Sequence, residues 1–124
     1  MNIIVCGAAK VSESILECIH QDNEITVIDK DKEKLEMIST KFDVCTIEGD
    51  ACCTTTLAGA KAENADMVFS ALPFDYANLF ICHTSQIIFG IRRKIAKISK
   101  MSILGAILSY SMRNCCEVQR HEVK

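Results

Sequence analysis

Gly7 and Asp29 are the two residues from which a ligand chemistry can be read. Gly7 opens the stretch Gly7-Ala8-Ala9-Lys10-Val11-Ser12, after the apolar run Asn2 to Cys6 and before the helical pattern of Val11, Ile15, Leu16 and Ile19. A strand, a tight turn and a helix start in that order bring a phosphate to free backbone N–H groups at the positive end of a helix dipole. Asp29 stands 22 residues further on, at the end of a second apolar run. That is the distance at which an acid reaches the ribose hydroxyls of a bound adenosine. Its charge would repel a 2′-phosphate, so the pair points to NAD(H) rather than NADP(H). An aspartate at a strand end also serves as a cap for the helix that follows, and this second reading stays open.

In such a turn the first glycine gives the geometry, the second lets backbone approach the pyrophosphate, and the third lets helix and strand pack closely. Gly7 keeps the first position. Ala9 stands at the second, where its methyl would press on the pyrophosphate, and Ser12 stands at the third. The turn by itself is a weak signal.

The elements that must position these residues alternate along the chain. Residues 2–6 read as a strand and 11–20 as a helix. The β-branched run Glu24 to Asp29 reads as a second strand. Residues 31–41 carry Leu35 and Ile38 on one face of a charged helix. Residues 44–48 make a third strand, 54–60 a short helix, 66–71 a fourth strand stopped by Pro73, 75–89 a longer helix and 94–98 a fifth strand. Strands and helices in strict alternation over about 98 residues imply an α/β, Rossmann-like, doubly wound parallel sheet in three layers, of order 3-2-1-4-5. Residues 1–100 form this domain. Residues 101–110 read as a partial helix and 111–124 as a frayed tail.

Bulk properties narrow the classes. The chain has 124 residues, enough for one domain with a modest core. A net charge of −2 gives no basic footprint for nucleic acid; the cluster Arg92-Arg93-Lys94 reads as a solvated helix end. No apolar stretch reaches the 18 residues of a membrane span, and the N-terminal run is too short for a signal peptide. A cytoplasmic location is expected. The eight cysteines form no C-x-x-C spacing, and Cys6 and Cys45 fall in strands, where a thiol behaves as a small apolar residue. Neither disulfides nor a metal site are expected. His20, His83 and His121 are scattered, and no nucleophile has a base at a recognisable spacing, so no catalytic group is assigned.

Five stretches in order carry a family resemblance: V-x-D-K-D (Val27 to Asp31), T-I-E-G-D-A (Thr46 to Ala51), L-A-G-A-K-A-E-N-A-D-M (Leu57 to Met67), F-D-Y-A-N-L (Phe74 to Leu79) and K-I-A-K-I (Lys94 to Ile98). Together they resemble the N-terminal, NAD-binding domain of the TrkA family (the RCK or KTN domain), the regulatory subunits of Trk potassium uptake systems. The resemblance covers residues 1 to about 99. It implies a cofactor, NAD(H) or in its place ATP or ADP. Gly7, Ala8, Ala9, Lys10 and Val11 would wrap the pyrophosphate, and Asp29 would take the adenosine ribose. Gly49, Asp50 and Ala51 would border the adenine. Leu72 and Pro73 stand near the nicotinamide half, where the family usually offers a threonine and a second small polar residue. Lys97 matches an arginine that faces a phosphate or a neighbouring subunit. Asp75 and Asn78 match the family's D-E-x-N, with Tyr76 in place of the acid. The departures at Ala9, Ser12, Leu72, Pro73 and Tyr76 gather around the ligand crevice.

The resemblance further implies a membrane-embedded Trk-type transporter subunit as partner, gating of potassium transport without catalysis, and a homo-oligomer, a dimer or tetramer. The fourth helix and the apolar run after Lys100 are the expected contact surfaces. Two alternatives stand beside this: a small NAD-dependent oxidoreductase or a fragment of one, and a degenerate copy that folds without binding nucleotide.

Overall fold

A computed structural model gives the architecture, describing residues 1–99 and the strand 117–120. Six strands form one parallel sheet: β1 (Asn2–Cys6), β2 (Glu24–Asp29), β3 (Cys45–Glu48), β4 (Met67–Ser70), β5 (Arg93–Ile98) and β6 (Glu117–Arg120). Their order is β3-β2-β1-β4-β5-β6. Among the described residues the helices are α1 (Lys10–Ile19), α2 (Lys32–Lys41), α3 (Thr54–Gly59) and α4 (Asp75–Phe89), with a short 3-10 turn at Ala62–Asn64. The expected topology 3-2-1-4-5 is present and is extended by one strand. The sheet grows outward in opposite directions from β1 and β4, which makes the gap between them the topological switch point.

β1 explains why so short a run organises the domain. Alternate residues of a strand face opposite sides, and both sides of β1 are covered. Ile3 and Val5 enter one core with Leu16 of α1, Leu35 and Ile38 of α2, and Val27 and Phe69. Ile4 and Cys6 enter the other with Ile28, Leu57, Val68 and Ile81 of α4. Burying each such aliphatic side chain contributes about 1.5–3 kcal/mol. A strand buried on both faces therefore reads as continuous apolar sequence. β3 lies at the outer edge, and its residues Cys45, Thr46 and Glu48 are exposed. Cys45 is thus a surface thiol, unlike the buried Cys6.

Two local findings depart from the sequence reading. Lys94 does not belong to a solvated basic cluster; alternation along β5 turns it inward, where it is buried while Arg92 and Arg93 stay exposed. Its ammonium is satisfied by the carbonyls of Ile91 and Arg92 at 2.6 and 2.7 Å. The strand β6 lies in the segment read as a tail, and it pairs with β5 from Ile95↔Glu117 to Ile98↔Arg120, covering an edge that would otherwise leave backbone groups unpaired. The helix expected over 101–110 lies outside the described residues.

Asn78 pins the right-hand half of the sheet together. It is fully buried in the first turn of α4. Its Oδ1 accepts from Ser70 Oγ at 2.8 Å and from the Leu72 N–H at 2.7 Å. Its Nδ2 donates to the carbonyls of Leu72 at 2.9 Å and Lys97 at 2.8 Å. One amide thus joins the ends of β4 and β5 to the intervening loop. Replacing it strands several buried polar groups, each costing about 1–3 kcal/mol. Urea denaturation is expected to show Asn78→Ala losing about 3–5 kcal/mol, against about 1 kcal/mol for Ser70→Ala. Equal losses in the two variants would contradict the role given to Asn78.

Candidate functional site

The register of the parallel sheet sets Asp29, Gly7, Ala71 and Lys97 in one row along its C-terminal edge. Cys6 is paired with Ile28 and with Ser70, and Ser70 with Ala96, so the residues that follow each of these stand side by side. Gly7 turns sharply there, with φ of +97°, and a Cβ at this position would sit 2.7 Å from the Ala71 carbonyl oxygen. Only glycine fits both the dihedral and the space. The Gly7 N–H donates to the Ile28 carbonyl at 2.8 Å, and the Ala71 N–H to that of Cys6 at 2.8 Å. The turn is clamped between its two neighbouring strands.

Asp29 completes the clamp. Its Oδ2 accepts the Ala8 N–H at 2.7 Å and its Oδ1 accepts the Asp31 N–H at 2.8 Å. Its carbonyl takes the Gly49 N–H at 3.0 Å. The capping role is divided: the N-cap of α2 is Asp31, whose side chain accepts from Glu33 and Lys34, while Asp29 supports the turn into that helix. The carboxylate therefore sits against the Gly7 loop, where the spacing of the sequence places a ribose acid. It retains lone pairs beyond these two hydrogen bonds.

α1 begins immediately beyond the loop. Its N-cap residue, Ala9, has no side chain able to cap, so no side-chain hydrogen bond closes this end. A ten-residue helix with an uncapped N-terminus directs N–H groups and positive potential outward. Lys10 is exposed at the same end, and Val11 packs into the α1 side of the core. Ser12 is fully buried and its hydroxyl has no hydrogen-bond partner among the described residues. That is a cost of placing a hydroxyl where close helix–strand packing favours glycine.

The rim continues past β3. A Cβ on Gly49 would lie 3.1 Å from Thr56 Cγ2, so this position too is tight. Asp50 binds the Cys52 N–H at 2.9 Å and forms an exposed ion pair with Lys30 at 3.6 Å. Ala51 is buried. On the opposite side Leu72 is partly buried and Pro73 exposed; both Leu72 backbone groups are engaged by Asn78. Asp75 accepts from the Ser99 N–H at 2.8 Å and from its hydroxyl at 3.1 Å. The structure thus brings Gly7, Ala8, Asp29 and Gly49 into one hydrogen-bonded rim. Lys97 stands two strands from β1, and it is its carbonyl that joins the network of Asn78.

The comparisons with known proteins bear on this arrangement. The family model for the TrkA-N domain matches residues 3–107. The chain belongs to the TrkA-N family. The Trk system potassium uptake protein TrkA of Halomonas elongata is 30% identical over 105 residues, which are 84% of this chain and 23% of that protein. The chain thus spans about a quarter of the length of such relatives. Among solved structures, the TrkA-N domain of an inner membrane protein from Escherichia coli has a TM-score of 0.81 at 16% identity, covering 96% of this chain and 86% of the other. The AMP-bound Kef C-terminal domain of Shewanella denitrificans gives 0.76 at 15%, covering 98% and 72%. The NAD-bound GsuK channel gives 0.76 at 15%, covering 94% and 21%. These structural likenesses establish the Rossmann-like fold.

Three thiols lie at or behind the rim with different acidities. Burial, with a smaller contribution from Cys52, pushes Cys6 from 9.0 up to about 12. Cys52 is raised by burial first and by Asp50 next, against an opposing effect of Lys30. Exposed Cys53 is lowered, chiefly by its side-chain hydrogen bond with Thr55. For Cys6 the fold favours the neutral thiol. Below pH 9 both folded and unfolded chains hold the proton; above it the unfolded chain releases the proton first, and stability declines until about pH 12. Denaturation between pH 9 and 11 is expected to show Cys6→Ala flattening the alkaline loss by about 1.4 kcal/mol per pH unit. An unchanged slope would contradict the assignment.

Proposed function

We propose that this chain is a non-catalytic regulatory domain that binds an adenine nucleotide, NAD(H) or ATP/ADP, and couples it to a Trk-type potassium transporter in the membrane. The observation that carries the reading is the contact of Asp29 with the Ala8 N–H beside the uncapped start of α1. It supports the reading because a carboxylate able to accept from ribose hydroxyls stands beside free N–H groups able to donate to phosphate, the two recognitions an adenosine nucleotide requires. Family membership and the TrkA of Halomonas elongata support the potassium-uptake context. The AMP-bound Kef domain and the NAD-bound GsuK channel support the ligand class.

In this reading Gly7 to Val11 hold the phosphates, Asp29 the adenosine ribose, and Gly49, Asp50 and Ala51 the adenine side. Leu72 and Pro73 border the far half of the crevice. Binding ties the halves of the sheet on either side of the switch point and biases packing between copies of the chain, which is a coupling of ligand to assembly rather than a reaction. No helix among the described residues is long and apolar enough to cross a membrane, in keeping with a domain at the cytoplasmic face that acts through a membrane partner. α4 supports self-association as a dimer or tetramer: it leaves Tyr76, Phe80, Ile87 and Ile88 exposed, apolar side chains of the kind that interaction surfaces gather. The apolar run after Lys100 is a further proposed contact.

Calorimetric titration of the whole chain tests the reading. NAD(H) is expected to bind and to be preferred over NADP(H). Asp29→Asn removes the charge and keeps an acceptor for only one of the Ala8 and Asp31 N–H groups, so it should relax that preference at a cost in stability of about 1–3 kcal/mol. Asp29→Ala also releases the loop and should weaken all nucleotides about five- to thirty-fold, the equivalent of about 1–2 kcal/mol. Ala9→Gly should tighten binding by removing the methyl from the path of the pyrophosphate. If none of these variants alters nucleotide affinity, the crevice is a structural remnant.

A further inference from the structure

The N-terminal edge of the sheet, opposite the crevice, carries a row of its own. Asn2 is paired with Glu24, Thr26 with Cys45, and Met67 with both Ile3 and Arg93. This register sets Asp43, Glu24, Asn2, Asp66 and Arg92 side by side under β3, β2, β1, β4 and β5. Their backbone is held in place. The Glu24 N–H donates to the Met1 carbonyl at 2.9 Å and the Asp66 N–H to that of Asn2 at 2.7 Å. Asp66 Oδ2 accepts the Asn2 N–H at 2.8 Å, and the buried Lys94 ammonium holds the Arg92 carbonyl at 2.7 Å. All five residues of the row are exposed. Among the described residues the ion pairs are Lys30 with Asp50 and Lys41 with Glu13, so the charges of the row stand outside any ion pair.

Charge is sorted along this edge. Asp43 and Glu24 lie at one end, with exposed Asp22 just before β2; Arg92 and Arg93 lie at the other. Glu24 and Arg92 are three strands apart, roughly 14 Å. Beside Glu24 the sheet is also open. α3 has six residues, and next to its end Glu24 and Thr26 line two adjoining cavities of about 560 and 540 Å³, walled by Ala60 and Lys61. Lys61 is the one cation lining them, against the carboxylates of Glu24, Asp43 and Asp66. A guanidinium group finds both room and opposite charge there.

The order β2-β1-β4-β5 is symmetric about the gap between β1 and β4. A two-fold axis along the sheet normal, below that gap, lays the edge of one copy on the same edge of another. It exchanges β2 with β5 and β1 with β4. Glu24 of each copy then faces Arg92 of the other, and Asn2, whose amide donates, faces Asp66. An axis running along the row would instead set Arg92 on Arg92 and Glu24 on Glu24. We propose that the N-terminal edge of the sheet is a contact between two copies of this chain, a two-fold pairing held by reciprocal Glu24–Arg92 ion pairs. It is separate from the α4 surface, leaves the crevice open at the opposite edge, and does not depend on the nucleotide-binding reading. Exposed charges make it a weak contact that salt screens.

Sedimentation equilibrium of the whole chain tests the contact. Association is expected to fall at least about tenfold between about 50 and about 500 mM NaCl. Glu24→Arg and Arg92→Glu each place like charges opposite one another twice, and each should weaken association about tenfold at low salt with an unchanged circular dichroism spectrum. The double variant restores opposite charges in both pairs and should recover to within about threefold of the parent. Should a reversal unfold the chain, Glu24→Gln and Arg92→Gln give the same reading, with losses of about threefold. Ile87→Asp, on the α4 surface, should leave the salt dependence in place. Losses that add in the double variant, charge changes without effect, a salt dependence that vanishes with Ile87→Asp, or a chain monomeric at low salt would each overturn the proposal.

Discussion

The 2.7 Å hydrogen bond from the Ala8 N–H to the Asp29 carboxylate is the interaction on which the rest of the crevice depends. Parallel strands end with their carbonyls and loops at one edge, and nothing in the ladder itself fixes how a loop leaves that edge. Here a charged acceptor on β2 holds the loop that leaves β1. The bond is charge-assisted, and so stronger than an ordinary amide contact. Gly7 makes it geometrically possible, because its positive φ brings Ala8 back toward β2 while the missing Cβ spares the Ala71 carbonyl. The loop is thereby ordered without a ligand, and under the proposed reading this would reduce the ordering cost of binding a nucleotide.

A second constraint acts on the opposite side and has the opposite consequence. Asn78 saturates itself in joining β4, its following loop and β5. Rigidity in that half is obtained by internal hydrogen bonds, whereas the half between β1 and β3 leaves acceptors and donors open. Two adjacent devices, one amide and one carboxylate, thus give the crevice its asymmetry.

Much of this was legible in the sequence because it follows from periodicity and spacing. β1 and β2 declare themselves as apolar runs, since a strand covered on both faces has no polar alternation to confuse it. Gly7 and Asp29 follow from the known reach between a first turn and a second strand end. Lys94 was misread because three basic residues in succession look solvated, and only the alternation of β5 shows which of them turns inward. β6 was missed because Glu117–Arg120 has three polar residues in four and no apolar run. The part played by Asn78 could not be seen at all, because its three partner residues lie 6 to 19 residues away and are joined only by the folded sheet. That Asp31 caps α2 while Asp29 holds the Gly7 loop was equally hidden, since either aspartate at this strand end could serve as the cap.

The account's central claim, that the nucleotide is received by the Gly7 loop, Asp29 and the loop after β3, is tested most directly by amide NMR of the chain titrated with ADP. The expected result is saturable shifts at Ala8 to Val11, at Lys30 and at Gly49 to Ala51. Shifts confined to α4 or to the opposite edge of the sheet, or no saturable shifts at all, would contradict it.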